Sequence, residues 1–155
     1  MQKINFIIAG AQKAGTSSLK YYLGQHPDIC THTRLEFSYF IDEKDYKQGY
    51  NKNYIRYFSH INKEQIILAK SVSILSDENF IKRMYKHNKN LKFVFVMRNP
   101  VDRAYSSYWY SKSESWENSN SFEEALKREN YKNRVHKNNT DYLFMSNYQL
   151  QLECL

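Results

Sequence analysis

The amino-acid sequence predicts an α/β domain of three layers, a central parallel sheet flanked by helices. Three observations carry this. Short apolar runs at Ile4–Ala9, Gln65–Lys70 and Leu91–Met97 are bounded by turn-forming or polar residues and read as buried strands. Segments with apolar residues at helical spacing alternate with them, the pattern of βαβ units. The run Leu-Lys-Phe-Val-Phe-Val-Met at Leu91–Met97 is almost continuously apolar, which fits a strand covered on both faces.

The elements follow in chain order. The first strand ends at Gly10, and a turn through Gly15 leads into a helix over Thr16–Leu23 with Leu19, Tyr22 and Leu23 on one face. Gly24 and His26-Pro27 end it. A polar, irregular stretch then runs to about Gly49, with a short strand near Ile29–Thr31. Asn53–Phe58 reads as a short aromatic helix. Asp77 is placed to cap a helix through His87, with Phe80, Ile81 and Met84 at helical spacing. Asn99-Pro100 opens a helix to about Lys112, with proline in its first turn. Ser121 with Glu124 three residues on is a capping-box pattern for a helix to Glu129. Asp141–Leu155 reads as a last helix whose apolar pattern is still running where the chain stops, as expected of one domain cut short at its C-terminus.

Composition bounds the function. The chain has 155 residues, 41% of them hydrophobic and 25% charged, enough for one globular domain with its own core. No apolar run approaches the ~20 residues of a membrane span. Two cysteines, Cys30 and Cys154, make no disulfide framework. The N-terminus has no signal-peptide pattern, so a native start at Met1 implies a cytoplasmic protein; a fragment of a Golgi-lumenal enzyme without its anchor would read alike. The net charge of +7 favours anionic partners, among them nucleic acid, a nucleotide, an anionic lipid face or an acidic polysaccharide. The five histidines, His26, His32, His60, His87 and His136, are scattered and form no metal-ligand pattern.

In parallel sheets, ligands bind at the carboxyl ends of strands, where loops enter helices. Two loops have that placement. The first is Gly10-Ala11-Gln12-Lys13-Ala14-Gly15-Thr16-Ser17-Ser18. A strand, a glycine-bounded loop and a helix opening on three hydroxyl residues make a phosphate cradle, P-loop-like in plan. It departs from the nucleotide-triphosphate loop Gly-x-x-x-x-Gly-Lys-[Ser/Thr]: Thr16 follows Gly15, and the lysine is Lys13, inside the loop. The second element is Arg98-Asn99-Pro100-Val101-Asp102-Arg103-Ala104-Tyr105-Ser106. Arg98 leaves a strand end and Ser106 lies two turns into the next helix, so the two can grip one phosphate by charge and by hydroxyl. Pairing of Arg98 with Asp102 is the competing arrangement.

Together, Gly-x-x-Lys-x-Gly-Thr-x-x-Leu and Arg-Asn-Pro-x-x-Arg-x-x-Ser resemble the sulfotransferases that use 3′-phosphoadenosine 5′-phosphosulfate (PAPS). Glu36-Phe37-Ser38-Tyr39-Phe40, Ala69-Lys70-Ser71-Val72-Ser73 and the Tyr148–Leu155 segment resemble the heparan-sulfate-like, carbohydrate-modifying branch. The resemblance implies that Lys13, Ala14, Gly15, Thr16, Ser17 and Ser18 hold the 5′-phosphosulfate, and that Arg98 and Ser106 hold the 3′-phosphate. It implies that Glu36 is the general base and that Lys70 lies near the reacting centre. His32 is the rival base, because another branch uses histidine. The resemblance also implies a carbohydrate acceptor, an anionic glycan among the candidates, rather than nucleic acid. No metal is expected, since a sulfuryl group carries less charge than a phosphoryl one.

Sulfuryl transfer to an alcohol needs a rigidly held donor, a cation for the leaving phosphate and a proton acceptor, roles that Lys13 and Glu36 can fill. Three departures stand out. Ala69 replaces the usual acidic residue, Val72 the usual proline, and Leu35 a frequent lysine. A P-loop kinase or NTPase, and a non-catalytic basic nucleotide-binding module, are the alternatives.

Overall fold

The computed structural model describes residues 1–61, 66–74, 77–129 and 140–153. Four strands, β1 (Phe6–Gly10), β2 (Ile29–Thr31), β3 (Ile66–Lys70) and β4 (Lys92–Phe95), form one sheet in the order β2-β3-β1-β4. Every pairing is parallel: Phe6 lies opposite Leu68 on one side and Lys92 on the other. The helices are α1 (Thr16–Leu23), α2 (Glu43–Gln48), α3 (Tyr50–Phe58), α4 (Glu78–His87), α5 (Pro100–Ser113), α6 (Phe122–Arg128) and α7 (Tyr148–Leu152). Gln65, His136 and Cys154-Leu155 lie outside the described residues.

The sheet's side-chain alternation separates two environments. Ile7, Ala9, Ile67 and Ala69 join a buried aromatic cluster with Phe37, Phe40, Tyr54, Tyr57 and Phe58. The intervening Ile8, Leu68 and Lys70 are equally buried and belong to the other face. An acidic side chain at position 69 would be driven into the aromatic core, so the alanine there suits this chain's packing. A smaller cluster of Ala104, Tyr108, Ala125 and Tyr142 ties α5 to α6. Buried Glu117 closes that cluster, accepting from the Ser119 N–H at 2.7 Å, from the Tyr142 hydroxyl at 2.9 Å and from Arg128.

Most elements follow the expected pattern, and the exceptions have local causes. Asn99 Oδ1 accepts from the Val101 N–H at 3.0 Å and Ser121 Oγ from the Glu124 N–H at 3.2 Å, as their positions predict. Helix α2 lies in the stretch expected to be irregular. Asp42 caps it, with Oδ1 accepting from the Asp45 N–H at 2.7 Å, but six residues are too few for an apolar period to appear. The expected helix over Asp141–Leu155 is broken into a 3₁₀ turn, Phe144–Ser146, and α7. Asn147 sits at φ −87°, ψ 82° between them and caps the second piece. Tyr22, expected on the inner face of α1, is 69% exposed. Strand β4 is less covered than expected: Lys92 is exposed and Phe93–Phe95 are half-buried, because β4 pairs only with β1 among the described residues.

Phe37 links this core to the loop that precedes it. Its ring is fully buried, 5.0 Å from Tyr57 and 5.7 Å from Phe58, and its N–H donates to the Lys70 carbonyl at 2.8 Å. Replacing Phe37 with alanine is expected to lower the unfolding free energy by ~3–5 kcal/mol in urea titration. A loss under 1 kcal/mol would contradict this packing.

Candidate active site

The carboxyl ends of β1 and β3, together with helix α5, line one cleft of about 400 Å³. Its floor is the Gly10–Thr16 turn. The Val96 N–H donates to the Gly10 carbonyl at 2.9 Å, and the Ala11 N–H donates to Val96 at 2.8 Å, so the turn stays joined to the chain leaving β4. Gly15 at φ 94° precedes α1 and supplies no side-chain cap. The first-turn N–H groups therefore face the cleft end of the helix without a capping side chain, which suits an anion. Lys13 has φ 65°, a left-handed conformation that costs a non-glycine residue of order 1–3 kcal/mol. That geometry carries its ammonium over the Tyr110 ring, 4.2 Å from the centroid. Partial burial, and secondly the Arg98 charge, lower its pKa.

Seven of the expected residues line this cleft: Lys13, Gly15, Thr16, Ser17, Glu36, Lys70 and Ser106. Three do not. Ala14 is part of the turn, its N–H donating to Ala11 at 3.2 Å. Ser18 is exposed on the first turn of α1. Arg98 lies at the rim, where Nη1 donates to the Lys13 carbonyl at 3.4 Å and the Tyr148 hydroxyl donates to its own carbonyl at 2.9 Å. Among the described residues, Arg98 forms no ion pair with Asp102.

Glu36 is held at both oxygens. Oε1 pairs with the Lys70 ammonium, and Oε2 accepts from the Val72 N–H at 3.2 Å. Lys70 is only 2% exposed, and Nζ also donates to the Leu35 carbonyl at 3.2 Å. Glu36 remains one-third exposed, so its carboxylate keeps a face on the cleft. The Val72 contact bears on a departure already noted: proline at that position has no N–H to donate.

His32 is engaged within the fold. It is buried, and Nε2 accepts from the Lys70 N–H at 3.0 Å, so its lone pair is engaged. Burial foremost, then the charges of Lys20 and Lys70, push its pKa down to about 3. Lys20 reaches the same loop from α1, its ammonium donating to the Arg34 carbonyl at 2.5 Å. Two contributors escaped the sequence reading. Tyr110 lies one turn after Ser106 on α5, a spacing that places both on one helix face. The Val72 N–H is a backbone group, and its one residue-type signal is that valine stands where the resemblance expects proline.

A histidine kept neutral by the fold makes stability pH-dependent. Below about pH 6.5 the unfolded chain takes up a proton that folded His32 refuses until about pH 3; His87, lowered to about 4 by burial and then by Lys3, acts alike. The unfolded state binds more protons, so stability falls as pH falls. Between pH 6.5 and 5 each histidine is expected to contribute a slope approaching 1.4 kcal/mol per pH unit, and His32→Gln should remove about half of it in denaturant titrations. An unchanged slope in that variant would show that His32 titrates normally.

Comparison with known proteins places the chain in a family. The sulfotransferase domain family matches residues 3–153. The chain is 34% identical over 110 residues to membrane-associated sulfotransferase kil1 of Dictyostelium discoideum, spanning 69% of this chain and 23% of that protein. It is 30% identical over 102 residues to heparan sulfate glucosamine 3-O-sulfotransferase 5 of Mus musculus, spanning 66% and 29%. The chain thus spans about a quarter of the length of these curated relatives. The crystal structure of a sulfotransferase from Alicyclobacillus acidocaldarius superposes with a TM-score of 0.82 at 30% identity, covering 99% of this chain and 68% of that one. A family match along nearly the whole chain, with the same fold in a solved relative, means that the chain belongs to the sulfotransferase family, near its heparan-sulfate-modifying members.

Proposed function

We propose that the chain carries the donor site and catalytic base of a sulfotransferase that moves a sulfuryl group from PAPS to a hydroxyl or amine of a carbohydrate. The observation that carries this reading is the convergence of Lys13, the uncapped start of α1 and the Glu36 carboxylate on one cleft. Thr16 and Ser17 offer hydroxyls and first-turn N–H groups to the 5′-phosphosulfate. Arg98 and Ser106 take the 3′-phosphate. The names of the heparan sulfate relatives support a carbohydrate acceptor.

In the transfer, the acceptor oxygen forms a bond to sulfur while the bond from sulfur to the phosphate oxygen breaks. The acceptor's proton passes to Glu36, and adenosine 3′,5′-bisphosphate leaves with the electron pair. Lys13 meets the charge growing on that leaving oxygen. Its partial burial and its seat on Tyr110 leave the ammonium partly dehydrated before the donor arrives, which strengthens its electrostatic effect. Lys70 is a positioning residue, holding Glu36 from the buried side. A P-loop kinase would need a lysine after Gly15, where Thr16 stands.

Ligand-dependent melting tests this reading. Adenosine 3′,5′-bisphosphate at 100 times its dissociation constant is expected to stabilise the chain by ~2.7 kcal/mol, and ATP with Mg²⁺ far less. Lys13→Ala and Arg98→Ala should each weaken the response. A response to ATP–Mg²⁺ alone would replace this function with the kinase reading.

A further inference from the structure

A second groove, of about 240 Å³, adjoins the cleft. Ser17 and Leu35 line both, so the two are continuous, and the groove leads away on the Glu36 side. Its other walls include Lys20, Tyr21, Gln25 and Thr31. Among the described residues that line the groove, Lys20 is the only charged one. Three features make it a cation in need of a counter-charge. Its ammonium is half-buried, and it forms no ion pair among the described residues. It donates to the Arg34 carbonyl and lies 3.4 Å from His32 Nδ1, which carries the ring proton when Nε2 accepts from Lys70 and so cannot accept from it, leaving ammonium N–H donors for a ligand. The nearby acid, Glu36, is already engaged by Lys70 and by the Val72 N–H.

Resting on the carbohydrate-acceptor reading, we propose that this groove is an acceptor subsite in which Lys20 binds a carboxylate or sulfate group carried by the acceptor beside the reacting position. Gln25, Thr31, Ser17 and the Tyr21 hydroxyl supply neutral donors and acceptors for sugar hydroxyls around that one charge. Burial first, then Lys70, bring the Lys20 pKa down to about 8, opposed by Glu36. An anion seated in the groove supplies the missing counter-charge and pulls that value back up. Lys20 then selects for acidic sugars, and the cleft handles donor and transfer.

The test uses a heparosan hexasaccharide, which carries carboxylates, and its carboxyl-reduced counterpart, each titrated calorimetrically into the chain saturated with adenosine 3′,5′-bisphosphate. The wild-type chain should bind the carboxylated form about tenfold more tightly, the effect of one charge-assisted contact. Lys20→Met, which keeps the packed stem, should abolish the preference without changing the carboxyl-reduced affinity, and Lys20→Arg should keep it. By NMR of lysine-labelled wild-type protein, the carboxylated sugar should raise the Lys20 pKa above about 8, and the reduced sugar should not. The same preference in wild type and Lys20→Met, or a Lys20 titration indifferent to the carboxylated sugar, overturns the subsite and leaves the acceptor reading standing. Binding of neither sugar, with bisphosphate binding intact, overturns both.

Discussion

The ion pair between Lys70 and Glu36 is the constraint on which the site depends. A lysine that is 2% exposed at the end of an interior strand cannot stay charged without a partner. Glu36 is that partner, and its place is set from the same residue of β3. The Lys70 N–H donates to His32, its carbonyl accepts from Phe37, and its ammonium reaches both the Leu35 carbonyl and Glu36. One strand residue thus pins the loop from position 32 to 37 at four points. Removing one member of a buried pair typically costs ~3–5 kcal/mol. Glutamine at position 36 still offers Lys70 an oxygen, so it separates the chemistry of the carboxylate from its structural task.

The charges in the cleft are divided by burial. Lys70 is neutralised within the protein and serves geometry. Lys13 stands over an aromatic ring with no carboxylate partner among the described residues. His32, between Lys20 and Lys70, stays neutral, which spares the site a third positive charge and frees its lone pair for the Lys70 backbone. Val72 adds a backbone donor that fixes the second oxygen of Glu36. This local difference from the family pattern tightens the carboxylate without adding charge.

Much of this was legible in the residues. The central strands were readable because buried parallel strands are apolar runs with sharp ends, and the β1–α1 turn because its glycines and hydroxyls have few other uses in that order. Asn99 and Ser121 were readable because capping depends on one side chain and its own neighbours. Helix α2 and the break at Asn147 were not, since each is shorter than the period that would reveal it. The roles of Tyr110, Lys20 and His32 depend on residues far apart in sequence meeting in space, as His32 meets Lys70 from 38 positions away. Residue type alone left His32 open as a base; its burial and its engaged nitrogen are visible only in the fold.

The central claim is that Glu36 takes the acceptor's proton while the donor is held across the cleft. The most direct measurement is single-turnover transfer of labelled sulfuryl group from PAPS to a heparosan oligosaccharide, in the wild-type chain and in Glu36→Gln, with donor binding measured in parallel. The account predicts equal release of adenosine 3′,5′-bisphosphate and sulfated sugar in the wild type. In Glu36→Gln it predicts unchanged donor binding and a rate lower by ~10²–10⁴. Transfer at an undiminished rate in that variant, or donor binding with no transfer in the wild type, would contradict it.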